Sequence, residues 1–222
     1  MIAALPSSRT VAMHVDFAKL TAYQRYKLMA SLIVPRPIAL VTTVNADGVV
    51  NAAPFSMFNM LGEDPPLVMI SVNMLADGAL KDTAANITAT GQFVVHLTDE
   101  AIAAKMHACG EAIPSHESEL DLVGLTSAPS VEVAPPRIAE APVAFECALW
   151  ETVRTESRLI FFGKVLHLHA REGLVDSTTW RVSLQDYFPV GRFGASFYVT
   201  TRDRFSLEGG AEKVRETEID RL

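Results

Sequence analysis

Lys81-Asp82-Thr83 is the tripeptide with the clearest chemistry in this chain. It stands where a helix is expected to begin. A helix start offers free N–H groups and the positive end of the helix dipole. A lysine ammonium and a threonine hydroxyl beside them make a seat for phosphate. The same residues also suit an ordinary capped helix with an exposed lysine. No Walker-type glycine loop and no GxGxxG accompanies them, so a phosphate there belongs to a ligand held by a less common scheme. A second group, Asn51, Ser56 and Asn59 with Phe55 and Phe58, suits a flat polar heterocycle. Amides and hydroxyls read ring carbonyls and nitrogens, and apolar groups cover the faces. The other reading is a turn whose Asn and Ser side chains satisfy its own backbone.

Other residues carry weaker signals. His167 and His169 lie two apart on an expected strand and so share a face, as a metal site requires. The chain has six histidines and no HxH…E…H set, which favours a solvated or structural pair. Ser56 has no GxSxG context, so no hydrolase nucleophile is read. Cys109 and Cys147 form no CxxC. They read as buried small hydrophobes or as reactive thiols, and two cysteines without a pattern suit a reducing compartment.

These residues must be held by local elements. Strands over Ile38–Val44 and Val49–Ser56 flank Asn45-Ala46-Asp47-Gly48, a hairpin signal because glycine accepts positive φ. Pro54–Asn59 leaves the second strand as a dense polar and aromatic segment. Asp64-Pro65-Pro66 marks a turn before a third strand, Leu67–Val72. The spacing predicts helices over Thr21–Leu32, with Met29, Leu32 and Ile33 as a buried stripe, and over Ala79–Thr90, with Asp82 as N-cap and Gly91 as stop. Phe93–Leu97 alternates as a strand, and Asp99–Cys109 reads as a helix. Glu111–Pro136 is a long acidic excursion. Val143–Trp150 and Leu159–Ala170 are strong strands, the latter with a bulge at Gly163. Leu174–Leu184 suits a short helix, Gln185–Ser196 a loop, and Phe197–Thr200 a last strand. Strands dominate without alternating as βαβ, so the fold class is mainly β, an antiparallel barrel with a few inserted helices.

Composition bounds the function. The 222 residues suit one large domain, with 49% hydrophobic and 20% charged residues. We divide the chain into an N-terminal arm (1–20), a main domain (21–201) and a charged tail (202–222). A net charge of −7 with no basic block argues against nucleic acid. No apolar run reaches the roughly 18 residues of a membrane span, and the N-terminus lacks the pattern of a signal peptide. A cytoplasmic protein is expected.

Taken together and in order, PRPIALVTT, NAAPFSMFN, DPPLVMISVN, KDTAANI and FVVHL resemble the flavin reductase-like family, the FMN-binding split-barrel proteins that include flavoredoxin-type members. The similarity runs on through APVAFECALWE, FGKVLHLHA and PVGRFG, covering Met29 to Tyr198. The resemblance implies a Greek-key split β-barrel that forms a homodimer, with FMN bound non-covalently near the interface. It implies a flavin ring along Asn51, Ala53, Pro54, Phe55, Ser56 and Asn59, and a phosphate on Lys81, Thr83 and Asn86. Thr42, Thr43 and Ser71 on the neighbouring strands, and Arg192, complete the implied cofactor set. No catalytic side chain and no metal ligand is implied. NADH or NADPH is the implied electron donor, and an electron-acceptor protein or a monooxygenase the implied partner. Three other readings stay open: an electron carrier that never meets NAD(P)H, a non-catalytic flavin-binding protein, and a metal enzyme built on His167 and His169.

Overall fold

Proline and glycine set the limits of the first strands. In the computed structural model, which describes residues 12–205, helix α1 (Ala22–Leu32) starts at Thr21, whose hydroxyl accepts from Gln24 N while the Gln24 side chain accepts from Thr21 N. Pro35 and Pro37 then force extended backbone, giving β1 (Arg36–Pro37) and β2 (Ala39–Val44). The hairpin to β3 (Val50–Phe55) turns at Gly48, φ 82°, as Asp-Gly demands.

Strands β4 (Phe58–Glu63) and β5 (Pro66–Asn73) follow as a second hairpin. Helix α2 (Asp82–Thr90) ends at Gly91, φ 69°, and leads into β6 (Gln92–Leu97). The excursion holds α3 (Ala103–Ala108), α4 (Glu119–Val123), β7 (Ser127–Ala128) and β8 (Arg137–Ile138). Two long strands, β9 (Val143–Arg154) and β10 (Arg158–Ala170), form the far wall. The short strands β11 (Val175–Asp176), β12 (Arg181–Val182), β13 (Gly191–Gly194) and β14 (Phe197–Val199) complete the chain.

Seven strands make one antiparallel sheet in the order β3-β2-β6-β9-β10-β5-β4. Its outermost strands, β3 and β4, are consecutive in sequence and joined through Ser56-Met57. The sheet must therefore curl until its ends meet, which is a barrel. Met57 O accepts from Ser71 N at 2.9 Å across that junction. Alternation along β2 sends Ala39 and Val41 into the barrel, where Ile70, Phe93 and Phe161 lie fully buried. The opposite face, Ile38 and Leu40, packs under α3 and α4 with Met106 and Leu120. Helix α2 lies across one end of the barrel and inserts Ala84 and Ile87 into its core.

Several expectations need correction. Lys81, not Asp82, is the N-cap of α2. It makes no side-chain capping bond, and Asp82 is the first helical residue. Met29, Leu32 and Ile33 are not a buried stripe: all are exposed, and Ala30 is the buried residue of α1. The helix touches the fold through Ala30 and Ser31, which sit against Gly194. Helix α3 begins four residues later than expected. Phe58–Glu63 is a strand that the alternation did not reveal. Residues 174–184 form the β11–β12 hairpin rather than a helix, because Asp176 accepts from Thr178 N and Trp180 takes φ 59°. The loop 185–196 contains β13. The bulge at Gly163 is present, between Phe162 and Gly163 in the pairing with β9. Most of the charged tail and of the N-terminal arm lies outside the described residues.

Candidate functional site

Two groups of the expected residues come together, one at each end of β3. At the first end, Thr43 and Asn51 are opposite each other in the β2–β3 ladder and so share a face. Asn51 Nδ2 donates to Thr43 Oγ1 at 3.2 Å and to Thr83 Oγ1 at 2.9 Å, and Asn86 Nδ2 donates to Thr43 Oγ1 at 3.0 Å. Thr43, Thr83 and Asn86 are buried. The four side chains satisfy one another where polar groups meet the barrel end, as burial requires. Lys81 stands exposed just outside them. The first N–H groups of α2 have no intrahelical acceptor and no side-chain cap. Here a cation, a dipole end and uncapped donors can seat an anion.

At the second end, Pro54 and Ser56 line a cavity of about 440 Å³ together with Arg192. Ser56 Oγ accepts from Arg36 Nε at 3.4 Å. The Arg36 guanidinium is fixed by the carbonyls of Ala30 and Ile33 at the end of α1. Arg192 Nη1 donates to Tyr198 Oη at 2.6 Å, and that hydroxyl lies 2.7 Å from His107 Nδ1. Tyr198 Oη thus links the Arg192 guanidinium to the His107 ring.

Between the two ends, the free edge of β3 is closed to other strands. Ala52 N donates to Glu119 Oε2 at 2.8 Å, and Pro54 has no N–H to offer. Burial pushes the Glu119 carboxyl up; the bond from Ala52 offsets that only in part. Phe55 turns into the barrel core, and Ala53 is half-buried.

The remaining expected residues lie apart from these groups. Thr42 Oγ1 donates to Pro136 O at 2.6 Å on the outer face. Ser71 is buried beside Arg158, whose Nη1 reaches its carbonyl at 3.3 Å. Asn59 is exposed on β4 and its Oδ1 accepts from Met60 N. His169 Nε2 lies 2.5 Å from Glu146 Oε1, and its ring centroid is 4.8 Å from that of His167. Glu146 also accepts from Val131 N and Glu132 N, so this carboxylate ties the excursion to the barrel. Cys109 and Cys147 are free and buried, and burial pushes the Cys109 thiol up to about 11.

Sequence reasoning missed Arg36, His107, Tyr198 and Glu119. Arg36 had a signal, an arginine between two prolines ahead of a strand. The other three had none: Glu119 meets Ala52 across 67 residues, and His107 meets Tyr198 across 91.

The model of the flavin reductase like domain matches residues 29–185, and the chain belongs to that family. A solved structure of 2-nitrobenzoate 2-nitroreductase from Pseudomonas fluorescens is 40% identical, covering 88% of this chain and 95% of its own, with a TM-score of 0.81. Component B of nitrilotriacetate monooxygenase from Bacillus cereus is 32% identical, covering 89% and 100%, with a TM-score of 0.82. A Shewanella frigidimarina structure with a split barrel domain is 21% identical, covering 88% and 98%, with a TM-score of 0.74, and shares the fold. The fold is thus the mainly β split barrel expected from sequence. Among the described residues no helix is long and apolar enough to cross a membrane.

Proposed function

We propose that this protein is an FMN-binding oxidoreductase of the flavin reductase type, which passes electrons from NADH or NADPH to flavin. The observation that carries this reading is the placement of two polar sites at the ends of one strand. From Asn51 to Ser56 is five residue steps, about 16 Å at the usual strand rise. That is the scale of an extended FMN, with a phosphate at α2 and a ring reaching the cavity. The residues fit such a group: uncapped donors and Lys81 for the phosphate, Ser56 and Arg192 for the polar ring edge.

Flavin, when bound, accepts a hydride and gives electrons up one or two at a time. The chain's own part is to hold it. Lys81 and the start of α2 fix the charged end. The Thr43–Asn51–Thr83–Asn86 cluster keeps α2 in register with β3. Arg36 orients Ser56, and Tyr198 orients Arg192. No side chain is assigned as acid or base.

The likeness to a monooxygenase component supports delivery of reduced flavin to a partner oxygenase. A homodimer is part of the reading, because α1 leaves Met29, Leu32 and Ile33 on an open surface. So is a cytoplasmic setting, with both thiols free. Anaerobic stopped-flow mixing of the FMN-loaded protein with NADH or NADPH tests the donor. Bleaching of the flavin band is expected with at least one of them. A flavin that dithionite reduces but neither nucleotide does would make the protein an electron carrier instead.

A further inference from the structure

We propose that the cavity at the Ser56 end of β3 binds a planar aromatic carboxylate. The first argument is charge. The chain is acidic overall, at −7, yet Lys27, Arg36 and Arg192 all line this one cavity, against a single carboxylate, Glu111. Among the described residues, none of the three cations has a carboxylate within ion-pairing distance.

Their hydrogen-bonding capacity is only partly used. Arg36 places Nη1 on backbone carbonyls and Nε on Ser56, which leaves Nη2. Arg192 places its two terminal nitrogens on Tyr198 and on the carbonyl of Ala195, which leaves Nε. Lys27 Nζ lies 5.6 Å from the centroid of the Tyr23 ring and has no acceptor among the described residues. Both guanidiniums are anchored by groups of the fold, so an anion meets donors already in place and loses less to ordering them.

The second argument is the remaining wall. Tyr23, Tyr26 and Tyr198 supply ring faces and edges, and Ile38, Met106 and Pro54 supply apolar surface. A small inorganic anion uses none of this. A flat ring carrying one anionic group uses all of it. Glu111 on the same wall works against a dianion, so a carboxylate suits the cavity better than a phosphate monoester. Binding of this ligand does not rest on the function proposed above.

Calorimetric titration of benzoate, benzamide and inorganic phosphate into the protein, with and without added FMN, tests this. Benzoate should bind at least tenfold more tightly than either of the others. Lys27→Met, at an exposed position on the cavity side of α1, should weaken benzoate at least threefold, and Lys27→Arg should restore it. Equal affinity for benzoate and benzamide would overturn the proposal. So would tighter binding of phosphate, or a benzoate affinity that Lys27→Met leaves alone. FMN is titrated separately: a protein that takes FMN but not benzoate loses only this inference, and one that takes benzoate but not FMN loses only the flavin reading.

Discussion

The Asn51 carboxamide joins β3 to the start of α2, with Nδ2 2.9 Å from Thr83 Oγ1. A side chain expected to face a cofactor thus also holds the helix whose N-terminus is proposed to bind the phosphate. Thr83 is 2% exposed, so its hydroxyl serves the protein first.

Two consequences can be separated by mutation. Asn51→Ala and Thr83→Ala should each lower stability by about 1 kcal/mol, the usual net worth of one hydrogen bond, and the double variant should lose less than the sum. Lys81→Ala touches no such bond. It should leave stability alone and lower FMN affinity, while riboflavin, which lacks the phosphate, binds as before. Chemical denaturation and titration of both flavins measure these effects. An FMN-to-riboflavin ratio that is the same in wild type and Lys81→Ala would remove the phosphate from α2.

Acid should destabilise the protein through His96. Burial drives this imidazole from 6.5 down to about 4, against a hydrogen bond to Leu40 O that favours the charged form. Its Nδ1–H donates to Leu40 O at 2.8 Å and its Nε2 accepts from Ile138 N at 2.9 Å, so the neutral ring is already satisfied. Between pH 6.5 and 4 the unfolded chain takes up a proton that the folded chain refuses, so stability falls as pH falls. The full shift corresponds to about 3 kcal/mol. Denaturation midpoints measured from pH 7 to 4 should show this slope, and His96→Gln should flatten it. Equal slopes in both proteins would rule His96 out.

Gly163→Ala should be among the most damaging small substitutions in the barrel. A Cβ there would fall inside the van der Waals envelope of Phe93 Cζ and press on Cys147 Cβ. Phe93 is fully buried in the barrel core, so a shift of its ring disturbs its neighbours. Overpacking of this kind costs about 1–3 kcal/mol. A melting temperature unchanged from wild type would mean that the bulge relaxes freely.

The exposed face of α1 predicts a dimer. Met29, Leu32 and Ile33 are between 49% and 75% exposed, an apolar surface that a second subunit would cover. Light scattering at micromolar concentration should report twice the chain mass, and Leu32→Glu should shift it toward the monomer. A monomeric wild type that still binds FMN would end this reading.

Much of the barrel was legible because its causes are local. Asp47-Gly48 makes a hairpin wherever it stands between apolar strands. Gly91 ends a helix because its φ of 69° costs glycine nothing. Gly163 interrupts a long strand where no side chain fits. The strand Phe58–Glu63 was not legible, since it lies at the end of the sheet order and buries only Phe58, so it shows no alternation. The stripe on α1 is exposed rather than buried because spacing reveals an apolar face but not what covers it. The proposed binding surfaces divide in the same way. The start of α2 is a property of one short segment and was read from three residues. The cavity gathers Lys27 and Arg36 with His107, Arg192 and Tyr198, and no spacing relates them. Curling the sheet until β3 meets β4, and docking α1, α3 and β13 around that seam, is what brings five distant side chains to one wall.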